Sequence, residues 1–441
     1  MDNIFAPATI IGKSAVAIIR ISGPGAYLAL QFLGVKAEIK PRVATLRKIF
    51  TSAGEVIDQV LVLWFPAPDS FTGENVLEIQ THGSRAVVSM VIAELSAIEG
   101  FRIAEPGEFT RRALANNKID LVQAEGLADL VNAETAAQAK QASRQMSGEL
   151  TVLYHSWRGV LIKILATVEA EIDFPDEGIP ADLKEKFFAE IAELKRDIRG
   201  HLDDNRAGER LRAGFCITII GPPNVGKSSL LNFLARREAA IVSEHAGTTR
   251  DIVEVHLDIQ GYPVIVADTA GLRAAADPVE KEGIGRAIRS VESADLIIAL
   301  FDVNKLPDLD GFTSGLLARN SILVASKADM AQDWHEKFCE ERGLLLISVH
   351  NQRGIDRLLG LIAQRTQERL AASADPMITR TRYRDALKSA LAHIEKLNFD
   401  MAAELLAEEL KAAARHIGGI TDKIDTEDIL SELFASFCIG K

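Results

Sequence analysis

Short runs of alternating hydrophobic and polar residues fill the chain from its start to about residue 115. Residues 15–21, 56–65 and 76–80 are rich in Val and Ile, which favour β-strands. Residues 86–99 interrupt these runs with apolar side chains at helical spacing. The pattern therefore predicts a mixed α+β module.

In the next part of the chain the hydrophobic residues recur with the longer period of a helix. From Leu121 to about residue 212 glycine is sparse and apolar residues recur at helical spacing, with one break at residues 175–180. Helical spacing returns after Arg382. It predicts helices that run to residue 396, over 402–416 and over 427–437.

Between these helical segments, strand-like and helix-like runs alternate. The predicted strands cover residues 215–220, 253–259, 262–268, 296–302, 322–325 and 344–347. Such alternation predicts an α/β domain with a mainly parallel sheet. Two helical segments on either side of it are most simply explained as one helical domain into which the α/β domain is inserted. The predicted domains are residues 1–117, 118–212, 213–371 and 372–441.

Composition and charge exclude several classes of protein. The 441 residues are 47% hydrophobic and 25% charged, which is typical of globular domains and excludes a disordered or collagen-like chain. With 50 basic and 62 acidic residues, the net charge is -12. The chain thus lacks the basic excess of a free-standing nucleic-acid binder, and any contact with RNA would need a local basic face or a basic partner.

Cysteine usage and hydropathy indicate where the protein resides. Cys216, Cys339 and Cys438 form no CxxC pair, which argues for a reducing compartment and against a zinc cluster. The chain begins without a basic leader. Apolar runs such as residues 296–301 are far shorter than the ~20 residues of a membrane span. We expect a soluble, cytoplasmic protein without membrane association.

A phosphate-binding motif stands at residues 221–228. The sequence GPPNVGKS fits GxxxxGK[ST], and it follows a predicted strand and precedes a predicted helix, as this motif requires. Backbone N–H groups at such a helix start bind phosphate oxygens. Lys227 is expected to reach the β and γ phosphates, and Ser228 to ligate Mg²⁺. A glycine-rich turn without a ligand is the weaker alternative.

Later motifs identify the nucleotide as GTP. Asp268 to Gly271 close a predicted strand with a carboxylate for Mg²⁺ and a glycine N–H for the γ-phosphate, and Thr249 lies in a loop that could reach the metal. Asp329 of Lys327-Ala328-Asp329 is placed to accept from guanine, and Ser348 follows the next strand. In order and position, these motifs resemble the translation-factor-like class of small GTPases.

Two positions depart from that class. Ser326 stands where the guanine motif normally begins with Asn, and we expect guanine preference to survive with weaker affinity because Asp329 is retained. Leu272 stands where Ras-like enzymes carry a glutamine that orients water. Another group must therefore position the water.

The whole chain resembles the MnmE (TrmE) family of tRNA-modification GTPases. The resemblance rests on the order of modules, on residues 221–229 and 247–251, and on the terminal Cys-Ile-Gly-Lys at 438–441. Residues 71–74 (FTGE) and 105–110 (EPGEFT) are also similar to that family. It implies an N-terminal folate-binding-like α+β module, a split all-helical domain and an inserted Ras-like P-loop GTPase domain.

The resemblance assigns the residues of the GTP site. The implied GTP-binding set is Asn224, Val225, Gly226, Lys227, Ser228, Ser229, Ser243, Glu244, His245, Ala246, Gly247, Thr248, Thr249, Asp268, Thr269, Ala270, Gly271, Ser326, Lys327, Asp329 and Ser348. Mg²⁺ would be held by Ser228 and Thr249, and K⁺ by Asn224, Ser243, His245 and Thr248.

In that family, a potassium ion compensates for the missing glutamine when two G domains meet. The implied catalytic residues are Asn224, Arg250, Glu280 and Cys438. Asn224 would bind K⁺, and Glu280 would orient the attacking water. The residues alone leave alternatives open: Asn224 as an N-cap or turn residue, Glu280 as a charge on a solvated loop or helix start, and Cys438 as a core side chain.

The resemblance also implies a tetrahydrofolate site. Its residues would be Arg20, Glu78, Lys118 and Lys441, with Glu78 facing the donor edge of the pterin and the cations facing the carboxylate tail. An exposed turn remains the alternative for Lys118. The implied assembly is a homodimer that works with the flavoprotein MnmG, whose FAD supplies the redox chemistry, on the wobble uridine of certain tRNAs.

Two rival functions need consideration. A ribosome-assembly GTPase of the Era or Der type predicts a basic RNA module after the G domain, but the tail mixes Glu404, Glu408 and Glu409 with Lys411 and Arg415. A P-loop kinase is disfavoured by Lys327-x-Asp329 and by Thr248-Thr249. The sequence favours the GTPase of tRNA modification.

Overall fold

A computed structural model describes residues 2–173, 181–236, 254–268, 288–318, 320–370, 376–398, 400–421 and 440. The chain forms two compact units. The first comprises Met1–Ala128, Gln145–Arg158 and Ile417–Lys441, and the second comprises Asp129–Arg144 and Gly159–His416. The four predicted domain boundaries stay a prediction.

A six-stranded sheet forms the centre of the first unit. Its strands are β1 (Asn3–Pro7), β2 (Ser14–Ser22), β3 (Thr45–Phe50), β4 (Val56–Phe65), β5 (Val76–Gly83) and β6 (Phe101–Ile103), and its helices are α1 (Leu28–Phe32), α2 (Arg85–Ser96) and α3 (Glu108–Ala115). The sheet order is β3-β4-β5-β2-β1-β6. All pairs are antiparallel except β1 with β6. The predicted α+β module is confirmed, although β1, β3 and β6 were not predicted.

Alternation along β2 and β5 decides which side chains meet. Ile19, Ile21, Leu77 and Ile79 are fully buried in the core of this unit. Successive strand residues point to opposite faces, so Arg20 and the residue at 78 point away from that core. The register pairs Arg20 directly with Glu78. Both charged side chains therefore stand side by side on one face of the sheet.

Helices occupy the middle and the end of the chain, as predicted. They are α4 (Leu121–Val131), α5 (Ala136–Met146), α6 (Glu149–Asp173), α7 (Ala181–Leu202), α8 (Ala207–Ala213), α13 (Thr381–Lys396) and α14 (Ala403–Thr421). Within the second unit, Arg384 of α13 is almost fully buried and pairs with Asp204 at 2.6 Å and Glu209 at 3.3 Å. This ion pair joins the two helical segments, so the helical domain is split. The break at 175–180 and the helix over 427–437 lie outside the described residues.

The inserted domain has a mainly parallel sheet, as predicted. Its strands are β7 (Phe215–Ile220), β8 (Glu254–Ile259), β9 (Tyr262–Asp268), β10 (Leu296–Asp302), β11 (Ser321–Ser326) and β12 (Leu345–Leu346), and its helices are α9 (Lys227–Ala235), α10 (Gly311–Gly315), α11 (Asp333–Arg342) and α12 (Ile355–Leu370). The order is β12-β11-β10-β7-β9-β8, and only β8 is antiparallel to its neighbour. The carboxyl ends of five strands thus meet at one edge, where ligands of such sheets bind.

Two further observations concern the whole chain. Of the helices within the described ranges, none is both long enough and apolar enough to cross a membrane. Cys216 and Cys339 are free thiols, and burial raises the pKa of each above its ordinary value. Both are therefore neutral near pH 7.

Candidate functional site

The phosphate loop joins β7 to α9 and depends on two glycines. At Gly221 a Cβ atom would lie 2.6 Å from the main-chain oxygen of Leu300, so no larger residue fits there. Gly226 has a φ of +105°, in the left-handed region, and is the N-cap of α9. The glycines of the motif are thus explained by backbone geometry, and the loop leads directly into a helix N-terminus.

Lys227 reaches back over this loop. Its Nζ donates to the main-chain oxygens of Gly221 at 2.7 Å and Pro222 at 2.9 Å. Ser228 and Ser229 follow in the first turn of α9 and are exposed. The loop therefore brings together an ammonium group, hydroxyl groups and a helix N-terminus, which is the donor set that binds phosphate.

Asn224 lies at an exposed position of the loop. Its φ is +60°, a left-handed conformation that Asn tolerates better than most residues. Gly226, and not Asn224, caps the helix, so the N-cap alternative is wrong and the turn alternative holds for the backbone. Within the described ranges its side-chain amide has no hydrogen-bond partner.

Asp268 ends the strand next to the phosphate loop. It pairs in register with Ile219, the residue before the last of β7. The strand order thus places Asp268 beside the start of the loop, where its motif predicts it. Several predicted site residues lie outside the described residues: Ser243, Glu244, His245, Ala246, Gly247, Thr248, Thr249, Arg250, Thr269, Ala270, Gly271, Glu280, Cys438 and Lys441.

A second group of residues stands at the ends of β11 and β12. Ser348 is buried, and its Oγ donates to Oδ1 of the exposed Asp329 at 2.5 Å. This hydrogen bond lowers the pKa of Asp329 below its ordinary value. The carboxylate is therefore ionised and held in place, as an acceptor of guanine N–H groups requires.

Lys327 of the same motif has a partner that sequence reasoning missed. Its Nζ lies 2.6 Å from Oδ2 of Asp302, the last residue of β10. Partial burial opposes ionisation of Asp302, but the hydrogen bonds from Lys327 and from Asn304 together outweigh it, and the pKa of Asp302 is lowered. The signal was a carboxylate at the end of the buried strand Leu296–Asp302. Asp302 orients Lys327 beside the base-reading residues.

The predicted folate residues Arg20 and Glu78 form an ion pair in the first unit. Arg20 Nη2 lies 2.8 Å from Oε1 of Glu78, and both side chains are half-buried. The guanidinium carbon is 5.7 Å from the ring centroid of Phe71 and 5.9 Å from that of Phe109. Cation–π attraction acts over such distances. The pair thus sits beside two aromatic rings.

Residues 71–74 are fixed by polar contacts around Glu74. Ser22 Oγ donates to Glu74 Oε2 at 2.7 Å, and Arg112 Nη1 lies 3.1 Å from the same oxygen. The side chain of Asn116 donates to the main-chain oxygen of Thr72 at 2.6 Å. Phe71, Phe109 and Arg112 were not predicted as site residues, although Phe71 lies in the FTGE motif and Phe109 in the EPGEFT motif; Arg112 lies two residues after the latter. These motifs build one wall beside Arg20.

Lys118 is exposed and lies next to this turn. A Cβ atom at Gly73 would be 3.1 Å from Cγ of Lys118. The structure therefore brings Lys118 to the turn whose Phe71 faces Arg20. The exposure of Lys118 also agrees with the alternative of an exposed turn residue.

The end of the chain reaches the same strand pair. Gly440 is buried, has a φ of +105°, and a Cβ atom there would lie 2.1 Å from the main-chain oxygen of Pro7. Pro7 follows Ala6, which is the register partner of Arg20. Gly440 thus packs against β1 one residue away from the position opposite Arg20.

Comparisons with known proteins cover the full length of the chain. The model of the MnmE helical domain matches residues 121–438, and that of the GTP-binding protein TrmE N-terminus matches residues 3–118. The tRNA modification GTPase MnmE of Wolbachia sp. subsp. Drosophila simulans (strain wRi) is 48% identical over 443 residues, covering 100% of this chain and 99% of that protein. Its counterpart in Paramagnetospirillum magneticum (strain ATCC 700264 / AMB-1) is 47% identical over 440 residues, covering 100% of both.

Solved structures of GTP-binding domains are also similar in part. A variant of Aquifex aeolicus Era, bound to GDP.AlF4-, is 23% identical with a TM-score of 0.28, covering 42% of this chain and 67% of that chain. The FeoB G-domain of Methanococcus jannaschii is 24% identical with a TM-score of 0.27, covering 35% of this chain and 98% of that one.

Proposed function

Because this chain belongs to the MnmE family of tRNA modification GTPases, we propose that it is a potassium-dependent GTP hydrolase that works with the flavoprotein MnmG on the wobble uridine of tRNA. GTP hydrolysis in tRNA modification follows from the family. The observation that carries the nucleotide site is the placement of loop 221–228 and the Ser348-held Asp329 at the carboxyl ends of parallel strands in one sheet.

Within this site, the loop and α9 bind the phosphates. Lys227 would contact the β and γ phosphates, and Ser228 together with Thr249 would hold Mg²⁺. Mg²⁺ prefers oxygen ligands. Ser228 carries a hydroxyl oxygen, and Asp268 carries carboxylate oxygens. Magnesium would neutralise phosphate charge. Asp329, Lys327 and Ser348 recognise the base.

Leu272 stands where Ras-like enzymes carry the glutamine, and a bound potassium ion would compensate for that missing group. The fit rests on Asn224, an exposed residue of the loop whose side-chain amide carries a carbonyl oxygen, the kind of ligand that K⁺ takes. Ser243, His245 and Thr248 complete the potassium site in this proposal, while Glu280 orients water and Arg250 assists. A fixed cation beside the phosphates would offset the charge that develops during hydrolysis.

The potassium proposal is tested by GTP turnover in KCl and in NaCl at equal ionic strength. We expect the rate of GTP turnover to be lower in NaCl than in KCl. In KCl, Asn224→Ala should lower this rate by about 10²-fold, the usual effect of removing one charge-stabilising group. Asn224→Gly keeps the left-handed backbone without the amide, so it should be as slow as Asn224→Ala. Asn205→Ala, at another Asn with positive φ, is the matched control. Equal wild-type rates in the two salts would contradict the proposal.

A tetrahydrofolate derivative would supply the one-carbon unit at the first unit's polar cluster. In this proposal Glu78 accepts from the pterin, Arg20, Lys118 and Lys441 attract the carboxylate tail, and the ring of Phe71 packs against the pterin. The packing of Gly440 on β1 supports the part played by the tail. Cys438, two residues earlier, is proposed to act in the reaction.

The proposed product is a carboxymethylaminomethyl-type group at C5 of the wobble uridine. The protein acts in the cytoplasm as a homodimer, and the FAD of MnmG supplies the redox chemistry. A net charge of -12 supports a division of labour in which a basic partner contributes to tRNA binding. The ribosome-assembly rival is set aside because the full-length relatives are tRNA modification GTPases.

A further inference from the structure

Ser326 replaces the Asn with which the guanine motif of GTPases normally begins, yet its side chain is turned into the protein. It is only 5% exposed. Its Oγ lies 2.6 Å from the main-chain oxygen of Val225 and 3.1 Å from that of Phe301. A hydroxyl has one proton to donate. The shorter distance assigns that proton to Val225.

This hydrogen bond joins segments that the sheet keeps apart. Ser326 ends β11, whereas Val225 belongs to the phosphate loop that follows β7. Strand β10 lies between β11 and β7 and carries Phe301, the second oxygen near the hydroxyl. The Ser326 hydroxyl therefore spans the end of β10 and ties the base-reading segment directly to the phosphate loop.

Ser326 and Asp329 have opposite environments within one motif. The Asp329 carboxylate is exposed and held by Ser348, as a group that meets the base must be. The Ser326 hydroxyl is buried and donates its proton to a protein carbonyl. Donation to guanine would require breaking that bond and leaving the Val225 oxygen without this donor.

We propose that Ser326 is a positioning residue that couples the phosphate loop to the base-reading segment and does not itself read the base. The inference rests on the nucleotide site proposed above. It separates two properties that the motif usually combines: Ser326 sets the strength of binding for any purine nucleotide, and Asp329 sets the preference for guanine.

The test is the affinity of the full-length protein for GDP, IDP and XDP, measured by calorimetry. Ser326→Ala should weaken GDP and IDP binding by the same factor, roughly tenfold, because it removes one buried hydrogen bond. Ser326→Thr retains the hydroxyl and should restore both affinities. Asp329→Asn should instead shift preference from GDP toward XDP, since it changes the acceptor that faces the base.

A buried hydroxyl elsewhere in the same sheet controls for loss of stability. Thr218 of β7 is 3% exposed, and its Oγ1 donates to the main-chain oxygen of Ser290 at 3.1 Å. Thr218→Val should leave all three affinities unchanged even if it lowers the melting temperature. The inference is overturned if Ser326→Ala leaves GDP affinity unchanged, alters the ratio of GDP to IDP affinity, or is not rescued by Ser326→Thr. A wild-type protein that binds no GDP would instead refute the nucleotide site itself.

Discussion

In the inserted domain the nucleotide site is assembled from loops at the carboxyl ends of parallel strands, whereas in the first unit Arg20 and Glu78 stand within two adjacent antiparallel strands. The nucleotide site uses backbone N–H groups, glycines and a helix start, which one short stretch of sequence can encode. The site around Arg20 and Glu78 depends on strand register, which brings together residues 58 positions apart in the sequence. The two sites should therefore fail independently.

The largest expected effect is that of Lys227→Ala on the nucleotide site. GTP turnover should fall by about 10³, because the ammonium group inside the loop stabilises phosphate charge. Affinity for a tetrahydrofolate should not change. Lys337→Ala, an exposed lysine of α11, is the control. If folate affinity fell in parallel with turnover, the separation of the two sites would be wrong.

Removal of Arg20 should have the converse effect. Arg20→Met is expected to weaken tetrahydrofolate binding by about 10 to 100-fold, the size of a lost charge-assisted hydrogen bond. GTP turnover should stay within twofold or so of the wild type, because the nucleotide site uses none of these residues. Arg47→Met, on β3 of the same sheet, is the matched control. Equilibrium binding and turnover are measured on the same preparations, and unchanged folate affinity in Arg20→Met would remove Arg20 from the site.

The sequence predicted the two sites to different extents for the same physical reason. The strands 215–220, 262–268 and 296–302 were predicted with the bounds that the structure has, and they position the phosphate motif and Asp268. Asp302 was missed as the partner of Lys327: the carboxylate at the end of its strand is visible in the sequence, but its contact with Lys327 depends on which strands are neighbours in the sheet. The pairing of Arg20 with Glu78 depends on register and was not predicted; only family resemblance suggested that the two residues serve one site. Phe71 and Phe109 stayed unassigned until the fold brought them together.

The smallest expected effect concerns the end of the chain. Gly440→Ala would place a methyl group 2.1 Å from the Pro7 oxygen in a strained left-handed backbone, so the tail should leave β1. Folate affinity is expected to fall about fivefold, as for the loss of one ordinary hydrogen bond. Gly419→Ala is the control, because its Cβ would meet no atom within 4 Å. Unchanged folate binding in Gly440→Ala would place the tail outside the site.

The most direct test of the account is mass spectrometry of tRNA wobble nucleosides from cells whose only copy of this protein is wild type, Lys227→Ala or Arg20→Met. If two separate sites serve one modification, the C5-modified uridine will be present with the wild type and strongly reduced with either variant, while both variants accumulate as folded protein. Full modification in cells that carry Lys227→Ala would contradict the claim that GTP hydrolysis at residues 221–228 drives the reaction.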